Sequence, residues 1–142
     1  MSDSAVVSGS CFVLHPADQF ESLNMEFISF LDRQECKKFV SSCPFELQNW
    51  NGVLSLEPYG DHRFGWTEHE ESEYWLMFLV NDFFKAKKIV IHGSFIYEDN
   101  EGDFSRFVIS KNWKVKFQRA TFQWHRAVTL REKFPEREER AV

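Results

Sequence analysis

No run of about 18 apolar residues occurs anywhere in the 142-residue chain, which excludes a membrane-spanning helix. The first ten residues, MSDSAVVSGS, contain no Lys or Arg and no long apolar stretch, so they lack the parts of a secretory signal. They read as a flexible leader over 1–10, and the absence of a targeting segment points to a cytoplasmic protein. Only three cysteines are present, Cys11, Cys36 and Cys43. An odd number in such a chain argues for free thiols rather than a disulfide framework. Cys36 and Cys43 stand seven apart, which fits no zinc-knuckle spacing.

The chemistry-bearing patterns are equally sparse. Five histidines occur, but none is paired in the H-E-x-x-H spacing that sets two imidazoles on one helix face. Asp61-His62 and His69-Glu70 are near neighbours, yet they read as solvated polar residues. His92 falls within an apolar strand pattern and is expected to find a hydrogen-bond acceptor there. Cys36 has no adjacent base to activate it. There is no G-x-S-x-G elbow and no glycine-rich phosphate loop. The carboxylates of residues 98–103 lack the spacing of a calcium loop. No catalytic, cofactor or metal site is therefore expected, and the chain reads as a non-enzyme.

What the sequence does hold is aromatic mass. Sixteen Phe and five Trp contribute to an aromatic fraction of 17%. Each ring buries a large area, enough for one core without disulfides or metal. Charge is unevenly placed. Residues 1–75 carry 4 Lys/Arg against 13 Asp/Glu, and residues 76–142 carry 13 against 9. An acidic half and a basic half suggest a polarised surface field.

Periodicity divides the chain into one α+β domain over 11–130 and a charged tail over 131–142. Cys11 to Leu14 begin a strand that His15-Pro16 interrupts. Residues 23–31, LNMEFISFL, read as a buried strand, with Met25 and Phe27 alternating against Glu26 and Ile28. Asp32-x-x-Glu35 has the form of a capping box, launching a short helix that Pro44 closes. Residues 43–51 read as a loop, and 53–56 as a strand. Arg63 to Trp66 suggest another. Thr67-x-x-Glu70 is a second capping box, opening a long helix over 68–85 with glutamates at its start and lysines past its end. Trp75, Phe78, Leu79 and Phe83 share one of its faces at spacings of three and four. Residues 88–97 and 104–109 read as strands around an acidic turn. In the next strand Trp113, Val115 and Phe117 alternate with Lys114, Lys116 and Gln118. The expected architecture is an antiparallel sheet of about five or six strands, with one long and one short helix packed on one face.

Between residues 68 and 117 the order of elements resembles a group of small bacterial and phage-type domains of unassigned function. Their hallmark is a helix followed by a G-x-x-x-W/Y strand, here Gly93 to Tyr97, and an acidic turn, here Glu98 to Gly102. A return strand comes next, here Asp103-Phe104-Ser105-Arg106-Phe107-Val108-Ile109, with Ser105 where a glycine is usual, and then Asn112 and Trp113-Lys114-Val115. The resemblance implies a helix packed on an antiparallel sheet and no catalytic residue.

Two surface sets are the candidates for function. Asp61, Glu68, Glu70, Glu71 and Glu73 gather around the start of the long helix, an acidic patch able to dock on a basic protein surface and steer association. On that reading the chain is a small protein-binding domain, a stoichiometric inhibitor or immunity-type factor in phage or bacterial conflict, acting on a larger protein or complex. The alternative uses the stretch 104–131, with seven basic residues and no acid. Arg106, Lys111, Lys114, Lys116 and Arg119 would there meet nucleic acid phosphates. The alternation predicts, however, that Trp113 and Phe117 turn toward the helix while Lys114 and Lys116 face water.

Overall fold

The computed structural model describes residues 4–60, 63–120, 127 and 129; for 4, 34 and 63–70 the backbone alone is described. The elements in order are β1 (Ser4–Leu14), α1 (Phe20–Leu31), β2 (Phe45–Trp50), β3 (Val53–Pro58), β4 (Arg63–Gly65), α2 (Trp66–Phe78), β5 (Val90–Asp99), β6 (Phe104–Ile109) and β7 (Val115–Arg119). They form an α+β fold around one antiparallel sheet in the order β2-β3-β1-β5-β6-β7, with the short β4 also pairing with β1. The last three strands are a meander, as their alternation and turn residues indicate.

One face of the sheet is apolar over its centre. Val7 lies opposite Tyr97, Cys11 beside Leu56, Phe95 opposite Phe107, and Leu47 opposite Leu56. All of these are buried, in one cluster with Leu23, Phe27 and Phe30 of α1 and Trp75 and Leu76 of α2. Both helices therefore cover the same face, and stacked or tilted rings link them: Phe27 to Phe83 at 5.3 Å and Phe30 to Phe78 at 5.3 Å. Lys87 and Glu26 add an ion pair at 3.1 Å between the two helices' surroundings.

The segment LNMEFISFL is a helix, not a strand. Leu23, Phe27 and Phe30, spaced four and three apart, are buried, while Met25 and Ile28 point outward. That is the 3.6-residue period; the alternation was accidental, because apolar residues are frequent enough here to satisfy both templates. Asp32 accordingly ends α1 instead of opening a helix: its N–H donates to the carbonyls of Ser29 and Phe30. In place of the expected short helix stands a single 3-10 turn, Gln34–Lys38, without a side-chain cap.

Residues 43–51 contain the strand β2 rather than a loop. Its signal was Asn51-Gly52, both at positive φ (52° and 91°), the pairing that a two-residue type I′ hairpin turn demands. The N-terminal boundary also moves. Residues 4–10, expected within a flexible leader, are the larger part of β1, whose register with β5 runs from Ala5 opposite Asp99 to Leu14 opposite Val90. Ala5 and Val7 are fully buried, so this segment is a central strand of the sheet.

The second helix continues from α2 into a π-helical segment, Leu79–Lys85, which buries Leu79, Val80, Phe83 and Phe84. Its end is a Schellman arrangement. Ile89 N donates to Phe84 O at 2.8 Å and Lys88 N to Lys85 O at 3.0 Å, with Lys88 at φ 58° in the position glycine usually takes. Where β1 and β5 cross closest, both strands carry glycine. A Cβ on Gly9 would stand 2.3 Å from Ser94 O, and one on Gly93 would stand 2.3 Å from Ser10 O.

Candidate functional site

Of the acidic set, Asp61 lies outside the described residues, and so do the side chains of Glu68 and Glu70 and the capping box at Thr67. Glu71 is committed within the molecule. Its carboxylate accepts from Val40 N at 3.0 Å, Ser41 N at 2.6 Å and Ser41 Oγ at 2.7 Å, and so ties the segment after the 3-10 turn to α2. Burial pushes the Glu71 carboxyl up, but these three hydrogen bonds outweigh it and hold the group below its ordinary value.

The basic set is divided by the pleat. Arg106 and Gln118 are register partners on the face that neither described helix covers, the helix-free face, where Arg106 Nε donates to Gln118 Oε1 at 2.6 Å. Lys116, opposite Val108, shares that face, whereas Arg119 and Phe117 point to the helix side. Lys111 and Lys114 flank the turn before β7. Trp113 sits at φ 60° outside the strand and donates its indole N–H to Ile89 O at 2.8 Å. Phe107 and Phe117 fall on the helix side, as their phase predicts, and Trp113 packs against the same core from the turn before the strand. Phe107 is buried, while Phe117 lies against it at 5.2 Å and is half-exposed on β7, the last strand among the described residues.

The fold brings one member of each set together. Glu73 and Arg119 line a cavity of about 400 Å³ with Ser72, Tyr97, Asp99 and Asp103. Burial, with the Glu73 carboxylate beside it, pushes the Tyr97 phenol up, while the Ser72 hydroxyl lowers it in part. Tyr97 is thus a neutral hydroxyl at physiological pH. The described residues lining this cavity include no imidazole and no thiol, and among the described residues no cluster of three or more His, Cys, Asp or Glu could hold a metal ion. No helix among them is long and apolar enough to cross a membrane.

A second site arises from residues that belong to no sequence motif. On the helix-free face, Phe12, Leu14, Trp50 and Val53 are 47%, 52%, 62% and 50% exposed. Trp50 is the register partner of Val53, and Phe12 that of Ser55. Val53 precedes Ser55 by two and Leu14 lies two beyond Phe12, so on antiparallel strands they occupy neighbouring positions of the same face. His92, the partner of Phe12 across β5, packs its ring against that phenyl at 5.5 Å and extends the patch. Glu57 fixes the corner: its Oε2 accepts from Trp50 Nε1 at 2.6 Å and from Ser55 Oγ at 2.7 Å. Ser55 is buried although it lies on this face. The signal in the sequence was that Phe12, Leu14, Trp50 and Val53 stand at positions where a one-face-buried strand should carry polar residues.

In comparisons with known proteins, no family model, no curated protein and no solved structure matches this chain.

Proposed function

We propose that this chain is a protein-binding domain, a stoichiometric inhibitor or immunity-type factor that occupies a larger protein through the helix-free face of its sheet. The observation that supports the reading is the apolar corner of Phe12, Leu14, Trp50 and Val53, four large side chains about half exposed on adjacent strands. Contiguous apolar surface of this kind, on a folded domain, marks an interaction site. Trp50 is held in place by Glu57 before any partner arrives, so little side-chain freedom is lost on docking. Tryptophan in such a setting is the residue type that dominates interface energies. Beside the apolar corner lie the register-paired carboxylates Glu46 and Glu57. The partner is thus a protein with an apolar centre and a basic rim, which extends the expected acidic docking surface to a different part of the molecule. Cys11, Cys36 and Cys43 are all free, which suits a reducing compartment.

The test is a pull-down from lysate of the producing cells with wild-type protein, Trp50→Lys and Phe12→Lys in parallel. The expected result is one protein retained at equal stoichiometry by the wild type and lost with both variants. Equal retention by the variants would remove this face as the docking surface, and the absence of any retained protein would count against the function.

A further inference from the structure

Between the end of α1, the 3-10 turn and β2 lies a cavity of about 710 Å³. That size falls within the range of small-molecule sites, about 300–1,000 Å³. Phe27, Leu31, Phe45 and Leu47 supply apolar wall, and Phe39 and Trp75 supply aromatic wall. Charged groups of both signs, Lys37, Asp32 and Glu46, also border it. The thiols of Cys36 and Cys43 border it as well. Burial pushes Cys43 up to about 12 and raises Cys36 too, so both are neutral, weakly polar wall at pH 7.

One wall residue has an unmet need. Trp75 is 2% exposed, and its Nε1 is buried without a hydrogen-bond partner among the described residues. An indole N–H is a donor only, and burying it without an acceptor costs about 1–3 kcal/mol. Buried orphan donors are uncommon enough to need an explanation. Phe39 stacks on the Trp75 ring at 4.0 Å and 21°. Phe39 comes directly after the single 3-10 turn and precedes the Val40 and Ser41 amides that Glu71 holds. The cover over Trp75 is therefore attached by the Glu71 hydrogen bonds and by the contacts of Phe39 with the Trp75 ring and, at 5.7 Å, with Phe78, and its displacement leaves the sheet ladder intact.

We propose that this cavity is a binding site for a small, mostly apolar molecule that carries one hydrogen-bond acceptor, of the class of a ketone or an amide, and that its acceptor takes the N–H of Trp75 once the Phe39 segment moves aside, since that N–H is closed off from the cavity while the segment is in place. The apolar body is stabilised by the wall, and the acceptor removes the orphan. A hydrocarbon of the same shape gains the first contribution and not the second. Of the residues named for the helix-free face, this site shares Glu46 alone.

The test uses acetophenone and ethylbenzene, which are similar in size and differ chiefly in the carbonyl. Each is titrated into the ¹⁵N-labelled full chain, with the Trp75 indole resonance assigned from Trp75→Phe. Acetophenone is expected to shift that resonance and the Cys36 and Cys43 amides saturably, and to bind about fivefold more tightly than ethylbenzene. In Trp75→Phe the preference should vanish while binding of both persists. Leu47→Trp, which fills the cavity, should abolish both while the rest of the spectrum stays dispersed. It also locates the site if Trp75→Phe does not fold. Absence of saturable shifts with acetophenone, a preference that survives Trp75→Phe, or binding undiminished in Leu47→Trp would overturn the proposal.

Discussion

Trp50 and Glu57 meet across the β2–β3 hairpin, indole nitrogen to carboxylate oxygen at 2.6 Å. The contact holds a largely exposed ring in one orientation, so its removal should affect recognition more than folding. Trp50→Ala is expected to lower unfolding free energy by less than about 1 kcal/mol, because most of the ring is already in water. It should weaken partner retention at least about tenfold. Glu57→Leu leaves the buried Ser55 hydroxyl without its acceptor and should cost about 1 kcal/mol. Urea unfolding and the pull-down, run on the same variants, check both.

Gly93 tests how tightly the central strands approach. Its φ is 150°, and a Cβ there would meet Ser10 O at 2.3 Å, a backbone atom that cannot rotate away. Gly93→Ala should destabilise the domain by about 2 kcal/mol or more, read as a lower urea midpoint with unchanged slope. Gly102→Ala has open space around its Cβ and carries only the strain of φ 84°. It should lose less.

Lys88 lies at the opposite extreme. It adopts the left-handed conformation at the end of the second helix, where glycine has no steric penalty. Lys88→Gly is expected to raise stability by about 0.5–1 kcal/mol, seen as a higher thermal midpoint. Lys88→Val, with a branched side chain at the same φ, should lower it.

Glu71 makes the cover segment sensitive to acid. Its folded carboxyl titrates below the ordinary value of 4.5, so its contribution is fully present above that pH. It is lost as pH falls through the lower folded value. Amide exchange at Val40 and Ser41 should therefore stay slow at pH 7 and accelerate, relative to the core strands, below about pH 4.5. Glu71→Gln should exchange faster already at pH 7, and the difference between variant and wild type should shrink on acidification. A constant difference across the range would remove the carboxylate from this role.

The meander and the long helix were legible because local pattern and tertiary outcome agree in them. Asp99 shows how. Its Oδ1 accepts from Glu101 N and Asp103 N at 2.9 Å, a turn that needs only residues within four positions. Residues 20–31 misled because nearly every second and every third or fourth position is apolar, and local sequence supports either period. Asn51-Gly52 was a usable signal for β2. Glu71, by contrast, looks like any other glutamate at a helix start; its partners lie 30 and 31 positions away.

The sequence by itself determined that the chain folds around aromatic mass, that its last strands form an antiparallel meander, and that the helix over residues 66–85 buries the face of Trp75, Leu79 and Phe83. Those features rest on side-chain period and turn chemistry, which act over a few residues. Only the tertiary structure decided which residues the two helices leave uncovered on the other side of the sheet, with Phe12 and Trp50 largely in water. The same packing enclosed the indole of Trp75 without an acceptor among the described residues. Each depends on which distant segments pack together, and a strand's alternation marks two faces without saying which one, or how much of it, another element will cover.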